Sequence, residues 1–244
     1  MLLKLGKKAV RHDPRTMKMR AYLATLPPTP TAIDWSGKVP SWGVELNDQL
    51  GCCTCSAAGH LEMLWTSQAS QEFAPADSDI LTAYEAVGGY NPADPSTDNG
   101  ADEITVLNYW RNTGIAGRKI TAYAQVEHAS QADVQAAIAF FGGCYIGVQF
   151  PESAMDAFNQ GQIWGNVQDT DIEGGHALPL VAYDAIGPTC VTWGRLQKMT
   201  WAWFQRYCDE AYCAFSPDWI SAGGTAPSSF NAAQLQADLA ALNQ

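Results

Sequence analysis

No stretch of this 244-residue sequence approaches the roughly 18 consecutive apolar residues that a membrane span needs. The opening residues carry too many charges among too few apolar ones for a signal-peptide core, so neither a signal peptide nor a membrane-embedded segment is expected. Positive charge is scarce: 14 Lys and Arg stand against 25 Asp and Glu, a formal net charge of −11. Such a surface repels phosphate backbones and anionic lipid, which argues against nucleic acid and membrane as main partners. Histidine is scarcer still, at four residues, so a histidine-based site has few places to be. No second CxxC or HxxxH pair completes a zinc pattern, and no internal repeat or low-complexity tract is present. Seven cysteines make an odd set in a chain without an export signal, which favours reduced thiols over a disulfide framework.

What is present suits a buried core. With 47% hydrophobic residues the chain is long enough for one large core or two modest subdomains sharing a cleft. Half of its Lys and Arg fall in the first twenty positions (Lys4, Lys7, Lys8, Arg11, Arg15, Lys18 and Arg20), which read as a basic arm. A short strand is expected at 32–35. The segment from Cys53 to about Gln68 has only Gly59 as an interruption and sets Ala57, Leu61 and Leu64 on one face, predicting a buried central helix. Further helices are predicted from Asp79 to Val87, Asp102 to Asn112, Gln131 to Phe141 (with Ser130 as N-cap) and near Thr200 to Tyr207. Residues 144–150, 176–186 and 189–193 read as strands, with His176 at the first residue of the second. Cys144, Cys190, Cys208 and Cys213 read as small buried hydrophobes.

Reactive residue types are densest in LNDQLGCCTCSAAGH, residues 46–60, where an amide-rich loop runs into the predicted helix. A cysteine in a first helical turn feels the positive end of the macrodipole and unsatisfied N–H groups, both of which favour the thiolate. Asn47 or Gln49 would put a side-chain amide beside the same spot, as an oxyanion hole requires. Cysteines merely packed at a helix start, a metal site drawn from Cys52, Cys53, Cys55 and His60, and a nucleophile paired with a distant histidine are the competing readings. Of the histidines, His12 lies in the arm, His60 on the helix and His128 in a polar turn. His176 follows two glycines that allow another segment to approach closely.

Five segments in order, from about Ala32 to Phe215, resemble the papain-like cysteine peptidase superfamily. They are AIDWSGKVPSW, NDQLGCCTCSAA, DNGADEITVLNYWRNTGI with Asn99 and Gly100 on the first two positions of an Asn-Gly-Gly loop, the run ending in GGHALPLVAYD, and VTWG at 191–194. The resemblance implies an α+β fold: a helical subdomain carrying the nucleophile, a second subdomain of antiparallel β-sheet or barrel carrying His176, and a cleft between them. It divides the chain into an arm (1–31), a helical subdomain (32–125), a β-rich subdomain (126–220), and a linker with a terminal helix (221–244). The sequence is also similar to papain-like proteins of tailed phages and prophages, so the expected location is cytoplasmic or virion-associated.

The resemblance implies a cysteine hydrolase, in all expectation a peptidase, with no cofactor and no metal. Cys53 is the nucleophile, His176 the general base, Asn47 the oxyanion donor, Gly100 a partner for substrate backbone, and Trp193 a shield behind the histidine. The plant-type spacing pairs Gln49 with Cys55 instead, and the two thiols cannot both face His176, being about 200° apart on a helix. Two departures stand out: no tryptophan follows either cysteine, and Val191 replaces the asparagine that orients the histidine, leaving Thr192, a backbone carbonyl or water for that task. A different class of role follows if the chemistry is lost, a papain-fold protein kept for binding or assembly, with the basic arm docked on a protein partner. Residues 1–31 are short beside the family's inhibitory propeptide and are expected to cover at most part of the cleft. Asp94, Asp98 and Asp102 fit no EF-hand spacing and read as a solvated loop.

Overall fold

The computed structural model describes residues 3–23, 28–71 and 73–221. The linker and terminal helix expected at the C-terminus, residues 222–244, lie outside them. In chain order the elements are α1 (Met19–Tyr22), β1 (Ile33–Asp34), α2 (Cys53–Gln68), α3 (Asp77–Gly88), α4 (Glu103–Asn112), β2 (Ala122–Gln125), α5 (Gln131–Phe141), β3 (Cys144–Pro151), α6 (Glu152–Asn159), β4 (Ile172–Tyr183), β5 (Pro188–Thr192), β6 (Arg195–Lys198), α7 (Trp201–Tyr207), β7 (Cys208–Phe215) and α8 (Pro217–Ser221). Among the described residues no helix is long and apolar enough to cross a membrane.

Local signals place several of these boundaries. Asp102 accepts the Thr105 N–H at the start of α4, Ser130 accepts the Asp133 N–H at the start of α5, and Thr200 does the same for Trp203 in α7. Gly89 and Gly142 follow α3 and α5 in the left-handed conformation that glycine adopts without steric cost.

The sheet is antiparallel throughout, in the order β2-β7-β3-β4-β5-β6, with β1 paired to the end of β4. It is open rather than a closed barrel, which narrows the sheet-or-barrel expectation. Its pleat sends alternate residues to two cores. Ile146, Val148, Leu178 and Leu180 join Trp164, Trp203 and the α5 residues on one face. Tyr145, Ala177, Val181 and Val191 join α2 and α4 on the other. Helix α2 is buried continuously from Cys53 to Thr66, so the apolar stripe read from its sequence understates its burial. Strand β4 starts at Ile172, not at His176. Its first residues, an exposed Ile172 and Glu173 followed by two half-buried glycines, make no apolar run, but they pair with β3 as far as Pro151.

Helix α2 also carries a buried carboxyl that its sequence does not mark. Glu62 sits within α2 with no exposed surface, its Oε1 accepting the Trp110 indole N–H at 2.9 Å. Burial raises its pKa to about 8, helped by the nearby charge of Asp218, against the pull of that hydrogen bond and of Arg118. A carboxyl whose folded pKa is above its unfolded value binds more protons when folded, so its contribution to stability is present at low pH and is lost as pH climbs toward 8. His60 and His176, lowered by burial to about 4 and about 3, act in the opposite sense, but only below their unfolded value of 6.5. The melting temperature is therefore expected to fall from pH 6.5 to pH 8. Thermal melts of Glu62→Gln should lack about 2 kcal/mol of that fall. An unchanged slope in the variant would show that Glu62 titrates normally.

Candidate active site

Cys53 is the first residue of α2, and its side chain is 1% exposed. The backbone N–H groups of Ala177 and Gly6 lie near enough to stabilise its thiolate in part, so the thiol lies against β4 one residue beyond His176. Burial nevertheless pushes the thiol up to about 11, because the two N–H groups only partly offset the loss of water. Cys55 is also buried, interacts with Thr54, and is raised further. It packs in the core beneath α2 with Ala58 and Leu61. All seven cysteines are free and buried.

His176 pairs with Val148 within the sheet and is 1% exposed. Its Nε2 is 2.8 Å from Thr192 Oγ1, while Nδ1 has no hydrogen-bond partner. The Trp193 ring stacks on the imidazole at 4.4 Å and 14°, and Phe150 meets it edge-on. Trp193 (φ 45°) and Gly194 (φ 76°) form the two-residue turn between β5 and β6. Both central residues are left-handed, as a type I′ hairpin requires. A tryptophan held in that region is strained, and the stack on His176 is what the strain secures. Val191 and Thr192 point to opposite faces of β5. The position that matches the family's asparagine is thus in the α2 core, and the hydroxyl next to it meets the histidine.

Asn47 is buried and Gln49 exposed. Glu45 and Leu46, both left-handed (φ 53° and 62°), turn the chain so that Asn47 faces the cleft. Burial and the charge of Asp77 raise Glu45 well above an ordinary carboxyl, and its Oε1 lies 3.6 Å from His60 Nε2 beneath this turn. No sequence signal marks this buried pair as support for the loop. The three acids considered as calcium ligands have separate tasks. Asp94 caps Ser96, Asp98 accepts from Tyr84 Oη (2.6 Å) and the Gly51 N–H (2.9 Å), and Asp102 caps α4.

The cleft itself is filled by the chain's own arm. Gly6 and Lys7 donate their N–H groups to the Gly175 carbonyl at 3.2 and 3.0 Å. On the other side Ala101 donates to Gly6 at 2.9 Å and accepts from Lys8 at 3.0 Å. The backbone groups that grip the arm thus belong to Ala101. Gly100 gives its N–H to Tyr84 and, at φ 72°, provides a surface on which any Cβ would collide with the Gly6 carbonyl. Asn47 Nδ2 donates to the Lys4 carbonyl at 3.2 Å, as does Trp193 Nε1 at 3.3 Å. Further along, Arg20 makes a bidentate pair with Asp133 and Arg11 reaches Thr105, so the described part of the arm packs on its own domain. A cavity of about 630 Å³ between Val39, Met63 and Phe73 lies away from these residues.

This arrangement of helix, sheet and histidine strand defines the papain-like cysteine protease fold, and solved structures bear that out. The chain is similar to xylellain, a cysteine protease from Xylella fastidiosa, at a TM-score of 0.68 and 16% identity over 88% of this chain and 96% of that one. It is similar also to procathepsin B S9 from Trypanosoma congolense (TM-score 0.58, 14% identity, 88% and 86% covered). Bromelain from Ananas comosus, solved with the inhibitor E64, gives 0.52 and 14% over 77% and 99%. No protein-family model and no curated protein matches the sequence. None of these neighbours is described as a phage protein.

The hydroxyl-for-amide exchange at the histidine makes a counter-intuitive expectation. Thr192→Val removes the hydroxyl that meets His176 Nε2 and should cost about 1–2 kcal/mol in a denaturant titration. Val191→Asn, which restores the family's residue, should also destabilise, by about 1–3 kcal/mol, since it buries an amide in the apolar α2 core. A neutral Val191→Asn would mean that this strand can turn its faces over.

Proposed function

We infer that the chain is a cysteine hydrolase acting on polypeptides, with Cys53 as nucleophile, His176 as general base and then acid, and Asn47 as oxyanion donor. The observation that carries this is the arm. An extended peptide already lies through the site, with one carbonyl on the Asn47 amide and two N–H groups on the Gly175 carbonyl beside His176.

With a substrate in place of the arm, the chemistry follows from the groups present. His176 Nδ1, the ring nitrogen without a partner, takes the Cys53 proton, and the start of α2 favours the resulting thiolate. The sulfur forms a bond to the carbonyl carbon, and the displaced π pair moves to oxygen, facing Asn47 Nδ2 and the Cys53 N–H. Collapse breaks the C–N bond, and the leaving amine takes the proton from Nδ1. Water then attacks the thioester, giving its proton to His176, and the acid leaves as sulfur recovers that proton. Thr192 holds the ring by Nε2 throughout.

In the resting chain both partners are neutral, the thiol raised to about 11 and the imidazole lowered to about 3 by burial under the arm. That neutrality is what a binding or assembly role would also show, so the test must remove the arm. Gly6→Val does this, because any Cβ there collides with the Gly51 carbonyl. Iodoacetamide at pH 6–7, with mass spectrometry to locate the label, should modify Cys53 at least about tenfold faster in Gly6→Val than in the parent. Cys55 should stay unlabelled, and His176→Ala in the Gly6→Val background should abolish the gain together with cleavage of fluorogenic peptides. If Gly6→Val labels no cysteine below about pH 8.5 and cuts nothing, the binding reading replaces this one.

A further inference from the structure

Lys7 carries its charge into the interior. Its side chain has no exposed surface, and its Nζ lies 3.0 Å from Asp209 Oδ2, 3.0 Å from Glu210 Oε1 and 3.2 Å from the carbonyl of Lys8. With Asp209 Oδ1, four oxygens of three residues thus surround the compact ammonium within 3.2 Å, a setting that a planar guanidinium does not fit. Behind them Glu103, at the start of α4, is fully buried with neither carboxylate oxygen hydrogen-bonded. Its charge is the strongest of the attractions felt by Lys7.

The pocket is held from outside as well. Tyr212 Oη donates to the second oxygen of Glu210 at 2.9 Å, and Gln149 Nε2 donates to Asp209. Gly147 on β3 clears the passage, since a Cβ there would collide with the Lys7 stem. Emptied, this pocket would leave buried carboxylates without a cation, a state that burial strongly opposes. Desolvation draws Lys7 toward neutrality, but the charges of Glu103, Glu210 and Asp209 outweigh it and leave its pKa raised. Burial and the charge of Glu210 raise Glu103 well above its usual value, against the pull of the Lys7 ammonium.

Resting on the hydrolase reading for its place in the cleft, we propose that the pocket formed by Glu103, Asp209 and Glu210 is a subsite for a lysine side chain. Lys7 fills it as a tethered ligand, and polypeptides with lysine in an extended segment are what the cleft takes once the arm has left. The same ammonium that marks a substrate thus latches the arm.

The test uses the full chain and two ways of freeing the cleft: Lys7→Met, which removes the ammonium, and Gly6→Val, which removes the fit of the arm and leaves the pocket intact. Thermal melts establish that each is folded. The probe is a nonapeptide with the sequence of residues 3–11, alongside the same peptide carrying norleucine or arginine in the place of Lys7. In either variant the lysine peptide should protect Cys53 from iodoacetamide at a concentration at least about tenfold lower than the norleucine or arginine peptide. Adding Glu210→Gln should erase most of that difference. Lys7→Met alone should also label faster than the parent.

Equal protection by the three peptides overturns the proposal, as does a Lys7→Met chain that labels no faster than the parent. A parallel assay of peptide cleavage in Gly6→Val separates the two readings. Selective protection without cleavage of any lysine peptide leaves the subsite standing and removes the hydrolase. Cleavage indifferent to lysine does the reverse.

Discussion

The site's geometry rests on the packing of α2 against β4. A helix buried from its first residue to Thr66 has no freedom to slide, and β4 is fixed on both sides by β3 and β5. The thiol at the helix start and the imidazole on the strand are therefore positioned by core packing, not by a contact between themselves. The cost is the set of buried polar groups that accompany such a helix. His60 reaches the Gly43 carbonyl at 2.7 Å, Glu62 holds Trp110, and Thr66 returns its hydroxyl to the Glu62 carbonyl. Each satisfies a group that would otherwise be stranded in the interior.

A rigid frame of this kind explains why the arm can lie so deep. Ala101 on one wall and Gly175 on the other offer backbone groups at fixed separation, and an extended segment between them completes a short ladder on both sides. Gly51, Gly100, Gly147 and Gly175 line its course at points where a Cβ would strike the arm. Main-chain pairing supplies no residue preference, so what distinguishes this segment from any other extended peptide is the buried Lys7. An ion pair in the interior contributes little net stability compared with an apolar pair, yet it is costly to satisfy with the wrong side chain.

Much of the frame was legible because it is written in local signals. The central helix, the Ser130 cap and the strand at 144 all follow from spacing and capping chemistry, and the structure has them within a residue or so. Strands β2, β6 and β7 were not legible. They are held by register with their neighbours, and CDEAYCAF carries no clean alternation because both of its faces are buried. At the candidate site, DNGAD pointed to Gly100 as the backbone partner of a substrate, whereas the residue whose backbone pairs with the arm is its neighbour Ala101. Which peptide group faces a cleft depends on the turn that Gly100 makes. Thr192 was one of several substitutes considered for the missing asparagine. Only the pleat of β5 decides that its hydroxyl, and not a group at 191, meets the ring.

The arm shows where sequence reading reaches its limit. Seven basic residues in twenty read as a basic arm, docked on a partner or covering at most part of the cleft, and charge patterning alone supports nothing finer. The acidic partner of Lys7 is assembled from α4 and β7, more than a hundred residues apart in the chain, and none of its three carboxylates is marked by a motif. One cation among them is the electrostatic minimum the fold requires, since each acid would otherwise have to be neutral or solvated. The buried Glu103 and Glu210 thus meet their cation in neither α4 nor β7 but in the arm, which brings Lys7 between them.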